Sequence, residues 1–250
     1  MDLQLNGRTA LVTGASTGIG RAIAATLAAE GVKMAVAARR RELLETLSQE
    51  IVAAGGAAPA IIVADVMAGD SATRIRDAAL AALGSVEILV NCAGASKPLP
   101  VDAPDEKWDE AITLNFTRVR QLTHALLPQM QARNFGRIIN ITGKSEPDRL
   151  NAAFAAKAGI HAWSKGLSKE IGKQGITVNC VAPGRIMSEQ IRRLYPEPER
   201  QALSDTEIAV GRYGEPEDVA LMVALLASPR AAYFTGIVVP VDGGLRRYQF

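Results

Sequence analysis

This sequence has little of what metal sites, disulfide scaffolds, nucleic-acid grooves and membrane anchors are built from. Two cysteines, Cys92 and Cys180, and two histidines, His124 and His161, are all that its 250 residues contain. Each cysteine stands beside Asn and apolar residues in an expected strand, so buried reduced thiols fit better than a disulfide. The histidines are far apart and lack a ligand cluster, so no metal is expected. Neither sign of charge dominates: 28 basic residues face 26 acidic ones without a long run of either. That balance argues against nucleic acid and against a polybasic membrane surface, and leaves a small molecule as the expected partner. A long apolar run is also missing. The opening MDLQLNGRTALVTG is interrupted by polar residues every few positions, so neither a signal peptide nor a membrane span is expected and the chain reads as cytoplasmic.

Hydrophobic residues make up 48% of the chain, enough for one large core and a single domain spanning residues 1–250. Short apolar runs recur: TALVTG, KMAVAAR, AAPAIIVADV, EILVNCAG, GRIINITG, ITVNCVAPG and GIVVPVDGG. Between them lie segments with apolar residues at three- and four-residue intervals, such as GRAIAATLAAEG and EPEDVALMVALLAS. Seven strands alternating with six main helices predict an α/β fold. Right-handed crossovers then give a doubly wound, Rossmann-like parallel sheet with helices on both faces, whose ligands sit beyond the carboxyl ends of the strands. One stretch, about 185–214, breaks the rhythm with prolines and charges and reads as a lid or substrate loop.

After the first strand comes Thr13-Gly14-Ala15-Ser16-Thr17-Gly18-Ile19-Gly20, leading directly into a helix. Such a turn needs positive φ and close backbone approach, and it offers free N–H groups and a positive helix end to a pyrophosphate. The spacing is GxxxGxG. With Asn91-Cys92-Ala93-Gly94, Asn115, Pro183-Gly184 and Asp242-Gly243-Gly244 in order along the chain, it resembles the short-chain dehydrogenase/reductase family over nearly its whole length, and within it the 3-oxoacyl-carrier-protein reductases and related sugar or alcohol dehydrogenases.

That resemblance implies a nicotinamide dinucleotide on Gly14, Ser16, Thr17, Gly18, Ile19 and Gly20. In the family an acidic residue ending the second strand binds the ribose 2′-hydroxyl; here Ala38 takes that place, followed by Arg39 and Arg40. A planar guanidinium suits a 2′-phosphate, so NADP(H) is favoured over NAD(H), against the plainer reading of a solvated helix start. The resemblance also implies adenine contacts from Asp65 and Val66, the adenosine ribose flanked by Asn91, Ala93 and Gly94, and the nicotinamide side lined by Pro183, Gly184, Ile186 and Ser188.

The family's chemistry uses an Asn that holds a water chain, a Ser that steadies the substrate oxygen, a Tyr acid/base four residues before a Lys, and that Lys. Asn115 and Lys157 match the first and last. Four residues before Lys157 stands Ala153, while Tyr195, Tyr213, Tyr233 and Tyr248 all lie far downstream. Counting six from Arg137 to the serine position reaches Gly143, and the turn from there to Lys157 is about three residues shorter than the family's. Thr142 and Ser145 are the candidates for the serine's place, and Lys144 for an ammonium aimed at a substrate oxygen or carboxylate. Each of the three also reads as a solvated turn residue. His161, one turn beyond Lys157, is a conceivable replacement acid, with helix packing or a subunit contact favoured.

Three functions follow as expectations. The first is an NADP(H)-dependent oxidoreductase for a small carbonyl or alcohol, its proton supplied by Thr142, Lys144, Ser145 or a water held by Asn115 and Lys157. The second is a nucleotide-binding protein with little or no hydride transfer, acting as a sensor or an inactive partner. The third is non-redox chemistry on a carbonyl or carboxylate compound, with Lys144, Lys157, Arg185, Arg192 and Arg193 holding an anion. The resemblance further implies a homo-oligomer, tetramer or dimer, built on the helices Trp108 to Arg133 and Ala152 to Lys173, which the tail Arg246 to Phe250 would reach.

Overall fold

The structure, a computed structural model, describes residues 1–143, 149–188, 191–192 and 196–245. In chain order its elements are β1 (Thr9–Thr13), α1 (Gly18–Ala29), β2 (Lys33–Ala38), α2 (Arg41–Ala53), β3 (Ala60–Val63), α3 (Ser71–Leu83), β4 (Ile88–Asn91), α4 (Asp105–Ile112), α5 (Arg118–Arg133), β5 (Gly136–Ile141), α6 (Ala152–Ile171), β6 (Ile176–Pro183), α7 (Glu197–Glu207), α8 (Pro216–Ala227) and β7 (Val238–Val241). The strands lie in the order β3-β2-β1-β4-β5-β6-β7, every pairing parallel. The seven-stranded doubly wound sheet is therefore as expected.

Alternation along each strand divides the core between the two faces. Val12, Val36, Val90, Ile139 and Val181 pack with α1, α2 and α8 through Ile23, Leu27, Leu47 and Val223. Their neighbours Leu11, Ala35, Leu89, Ile138 and Val178 pack on the other side with α3 and α5 through Ile75, Leu126 and Met130. Because both faces are covered, the central strands carry near-continuous apolar runs, and every residue of β6 is buried.

The helices begin where their sequences supply caps. Asn151 accepts the Ala153 N–H (3.0 Å) at the start of α6, and Glu215 with Asp218 forms a capping box on α8. The segment expected as one long helix runs from α4 into α5 through a single π turn, Thr113–Thr117. The stretch around 185–214 contains α7, whose amino end carries Glu197 and Glu199 in its first turn, favourable against the helix dipole. No helix of the described chain is long and apolar enough to cross a membrane.

Two buried polar constructions stiffen the sheet. Across its α5/α6 side, Asn91 Nδ2 donates to Thr123 Oγ1 (3.1 Å) and Asn140 Oδ1 (2.8 Å), Asn140 Nδ2 donates to Ser164 Oγ (3.0 Å), and the Cys180 thiol donates to the same hydroxyl (3.3 Å). Burial pushes the Cys180 thiol up to about 11, so both cysteines stay reduced thiols of the core region. At the opposite end of β5, Arg137 is 2% exposed. Its guanidinium donates to the carbonyls of Ser228, Gly136, Gly175 and Pro229 and stacks on Phe135, on which Arg8 also stacks. Burial, then Arg8, lowers its pKa to about 10. Replacing Arg137 with Met strips several buried carbonyls of their donors. The expected loss is about 2–5 kcal/mol, read as a fall in the urea midpoint at unchanged m-value; an unshifted midpoint contradicts the assignment.

Candidate active site

At the switch between β1 and β4, Thr13 joins the two strand ends. Its hydroxyl accepts the N–H groups of Cys92 (3.1 Å) and Ala93 (3.2 Å) and donates to Val90 O (3.4 Å). The chain can pass this close because Gly14 has no side chain: a Cβ there, at φ +69°, would stand 2.8 Å from Ala93 N. Gly20 is held equally tightly against Gly14 O. Gly18, by contrast, has φ +55° and nothing within 4 Å of where its Cβ would be. The turn is thus rigid underneath and open above, at the positive end of α1. Arg40 reaches over it, donating to Ser16 Oγ (3.4 Å) and Thr17 Oγ1 (3.3 Å), while Arg39 is exposed at the end of β2 and Ile19 packs on the core.

Asp65 and Val66 sit beyond β3, next to this turn. Asp65 Oδ1 accepts the Met67 N–H (3.0 Å), and Val66 O accepts from Ser71 Oγ (2.8 Å). A small cavity lies here, lined by Thr13, Val66, Asn91, Ala93, Leu114 and Arg118 among others. Asn91 is among the residues lining this cavity. Its carboxamide is buried and spent on Thr123 and Asn140, because β4 is central and its alternate side chains face the core.

Asn115 lies in the π turn. Its Nδ2 donates to Ala95 O (3.0 Å) and Ala111 O (2.9 Å), and its Oδ1 accepts the Ala95 N–H (3.4 Å). Gly94 lets the two segments meet, since a Cβ there would stand 3.0 Å from Asn115 Oδ1. π turns mark functional positions often enough that this one singles Asn115 out. Lys157 on α6 donates to Thr142 O (3.0 Å). Burial lowers its pKa, and the neighbouring Cys92 opposes the shift; burial in turn pushes the Cys92 thiol up to about 12.

Thr142 is not placed to replace the serine. Its hydroxyl donates to Val181 O (3.1 Å) and meets His161 Nε2 (2.8 Å). Since that hydroxyl already donates, the imidazole is the donor to it. Thr142 directly follows β5, and its two partners belong to the neighbouring β6 and α6. Lys144 and Ser145 lie outside the described residues, as do Arg193 and the tail 246–250. Of the nicotinamide-side group, Gly184 packs against Asp242, where a Cβ would be 2.6 Å from Asp242 Cβ. Ile186 bridges Gly214, and Ser188 Oγ accepts the Ile191 N–H (3.1 Å), leaving its proton available. Pro183 ends β6. Arg185 pairs with Glu207 on α7 at 2.7 Å, so its charge is met inside the protein, which removes much of the support for a lid arginine holding an anion.

The two positions where chemistry departs from the expected pattern differ in space. Gly143 is roomy: a Cβ there makes ordinary contacts with Phe154 (3.7 Å) and Lys157 Nζ (4.0 Å). Ala153 is 2% exposed. Asn151 Nδ2 donates to Ser96 Oγ (2.9 Å) and Leu99 N to Leu150 O (3.0 Å), drawing the loop after β4 across the start of α6. A phenol at residue 153 would have to displace packed chain. We therefore expect Gly143→Ser to change stability by no more than about 0.5 kcal/mol and Ala153→Tyr to cost about 1–3 kcal/mol through overpacking. Thermal melts of the two variants decide; equal melting temperatures would refute the closed space.

The chain is matched over residues 14–246 by the family model described as enoyl-(acyl carrier protein) reductase. It is 41% identical over 247 residues to nodulation protein G of Rhizobium sp. (strain N33), covering 97% of this chain and 98% of that one. To the 3-oxoacyl-[acyl-carrier-protein] reductase FabG of Pseudomonas aeruginosa it is 38% identical over 248 residues, covering 97% and 99%. Among solved structures, L-sorbose reductase from Gluconobacter frateurii, complexed with NADPH and L-sorbose, superposes with a TM-score of 0.93 at 28% identity, covering 99% and 100%. A 7α-hydroxysteroid dehydrogenase complexed with NADH and 7-oxo glycochenodeoxycholic acid gives 0.92 at 30%, covering 97% and 96%. With the glycine turn, the strand order and the Asn115 and Lys157 positions all in place, the chain belongs to the short-chain dehydrogenase/reductase family of oxidoreductases.

Proposed function

We propose that this chain is an NADP(H)-dependent oxidoreductase that interconverts a small carbonyl compound and its alcohol, with Lys157 itself delivering the proton that a phenol would supply. The observation carrying this reading is the isolation of Lys157. Its ammonium has a neutral carbonyl, Thr142 O, as its partner, its pKa is lowered by burial, and among the described residues no carboxylate pairs with it.

The residues fit the dinucleotide. Gly18 leaves clear space above a turn that presents N–H groups at the start of α1. Arg40 stands over Ser16 and Thr17, and Ala38 brings no carboxylate to repel a 2′-phosphate. Support also comes from the NADPH held by the sorbose reductase, whereas the steroid dehydrogenase holds NADH; the Arg39–Arg40 pair is what favours the phosphorylated form here. When bound, the nicotinamide supplies or accepts the hydride.

Negative charge developing on a substrate oxygen near Gly143 would be stabilised by the Lys157 ammonium, which then gives up one proton and becomes a neutral amine. A buried lysine does this more readily than an exposed one because the amine form avoids the desolvation penalty. In the oxidative direction the same amine accepts the proton. Asn115 braces Ala95, and Asn151 braces Ser96, so the loop after β4 is held from the π turn and from the start of α6. The packing around Ala153 favours a second reading, nucleotide binding with little turnover.

Steady-state oxidation of NADPH across a panel of small ketones separates the readings. Turnover is expected, its rate falling as pH rises through the depressed pKa of Lys157, since reduction needs the ammonium; Lys157→Ala should lose about a hundredfold or more in kcat. Tight NADPH binding with no turnover on any carbonyl would favour the second reading instead. For the cofactor, Arg40→Asp should weaken NADPH by about tenfold and leave NADH within about twofold, measured by fluorescence titration; equal losses for both would sink the phosphate assignment.

A further inference from the structure

Arg118, the first residue of α5, lines the cavity beside Val66, with no role in the proton chemistry proposed above. One nitrogen, Nη2, donates to Met67 O at 2.7 Å, and Nη1 donates to Gln121 Oε1 at 2.7 Å. Its Nε–H is buried without a hydrogen-bond partner, a costly condition that native structures resolve with a ligand or a water. Met67 is the residue whose N–H closes the turn on Asp65 Oδ1 (3.0 Å). The guanidinium therefore grips the turn from its far side while Asp65 grips it from the near side. No other cation reaches this turn among the described hydrogen bonds and ion pairs.

We propose that Arg118 is a positioning residue for the adenine end of the cofactor, holding the Asp65–Val66–Met67 turn in register through Met67 O, so that affinity for the base depends on a side chain on α5. The inference rests on the nucleotide-binding reading above. Without this tie the turn would keep Ser71 Oγ on Val66 O, Ala68 N on Asp65 O and its own Asx bond, none of which reaches it from α5. The planar fork matters, because two of its donors are directed at once to Met67 and Gln121, which a lysine cannot reproduce.

The test uses the full chain and three probes: NADPH, 2′,5′-ADP, which carries only the adenosine half, and a thermal melt without ligand. In Arg118→Met, NADPH and 2′,5′-ADP should each bind about tenfold more weakly, by equal factors, with kcat at saturating NADPH within about twofold. Arg118→Lys should recover only part of the affinity. Unchanged affinities in Arg118→Met, or a loss for NADPH without a matching loss for 2′,5′-ADP, would overturn the proposal. A fall in kcat at unchanged affinity would do so as well. If the unaltered protein binds neither probe, it is the nucleotide reading that has failed.

Discussion

The hydroxyl of Thr13, wedged between the ends of β1 and β4, is the contact on which the functional end depends. It joins the strand that feeds the glycine turn to the strand that feeds Ala93 and Gly94. It can do so only because Gly14 carries no side chain where the two chains cross. Parallel strands diverge toward helices on opposite faces at this point, which opens a crevice by topology alone. Thr13 and Gly14 then fix how wide that crevice is.

The site has two layers. The nucleotide layer keeps its turn, its cationic rim at Arg40 and its bonded loop at Asp65. The catalytic layer has Asn115 in a π turn and Lys157 fixed on Thr142 O, with Ala153 four residues before Lys157. Asn151 bonds Ser96 and Leu99 bonds Leu150 beside the start of α6, where Ala153 is buried. On the proposed reading Lys157 is the proton donor, and its burial lowers its pKa below that of an ordinary lysine.

Much of this was legible before any coordinates. The alternation of apolar runs with helical periods gave the sheet, and the glycine spacing gave the turn, because close backbone approach leaves a mark on residue type. Ala153 and Gly143 were found by counting along α6 and β5. What counting could not show was direction. Thr142 is a plausible serine substitute in a list of turn residues, yet its hydroxyl is bonded to Val181 and His161. Asn91 reads as part of a ribose-binding motif, but its carboxamide is committed to Thr123 and Asn140. Arg118 had no sequence signal at all, since an arginine opening a helix is ordinary until Met67 O is seen beside it.

The amino-acid order by itself determined the fold class, the phosphate-binding turn, the absence of a second-strand carboxylate and the absence of a tyrosine before Lys157. These are properties of residue type and spacing, and local sterics and hydrophobic periodicity suffice to express them. Only the tertiary structure decided that Ala153 is buried, that Arg185 pairs with Glu207, and that Lys157 has no carboxylate partner among the described residues. Those are facts about neighbours distant in sequence. Burial and charge compensation arise from chain segments that meet only when the sheet is complete, and it is they that set the proton chemistry of this site.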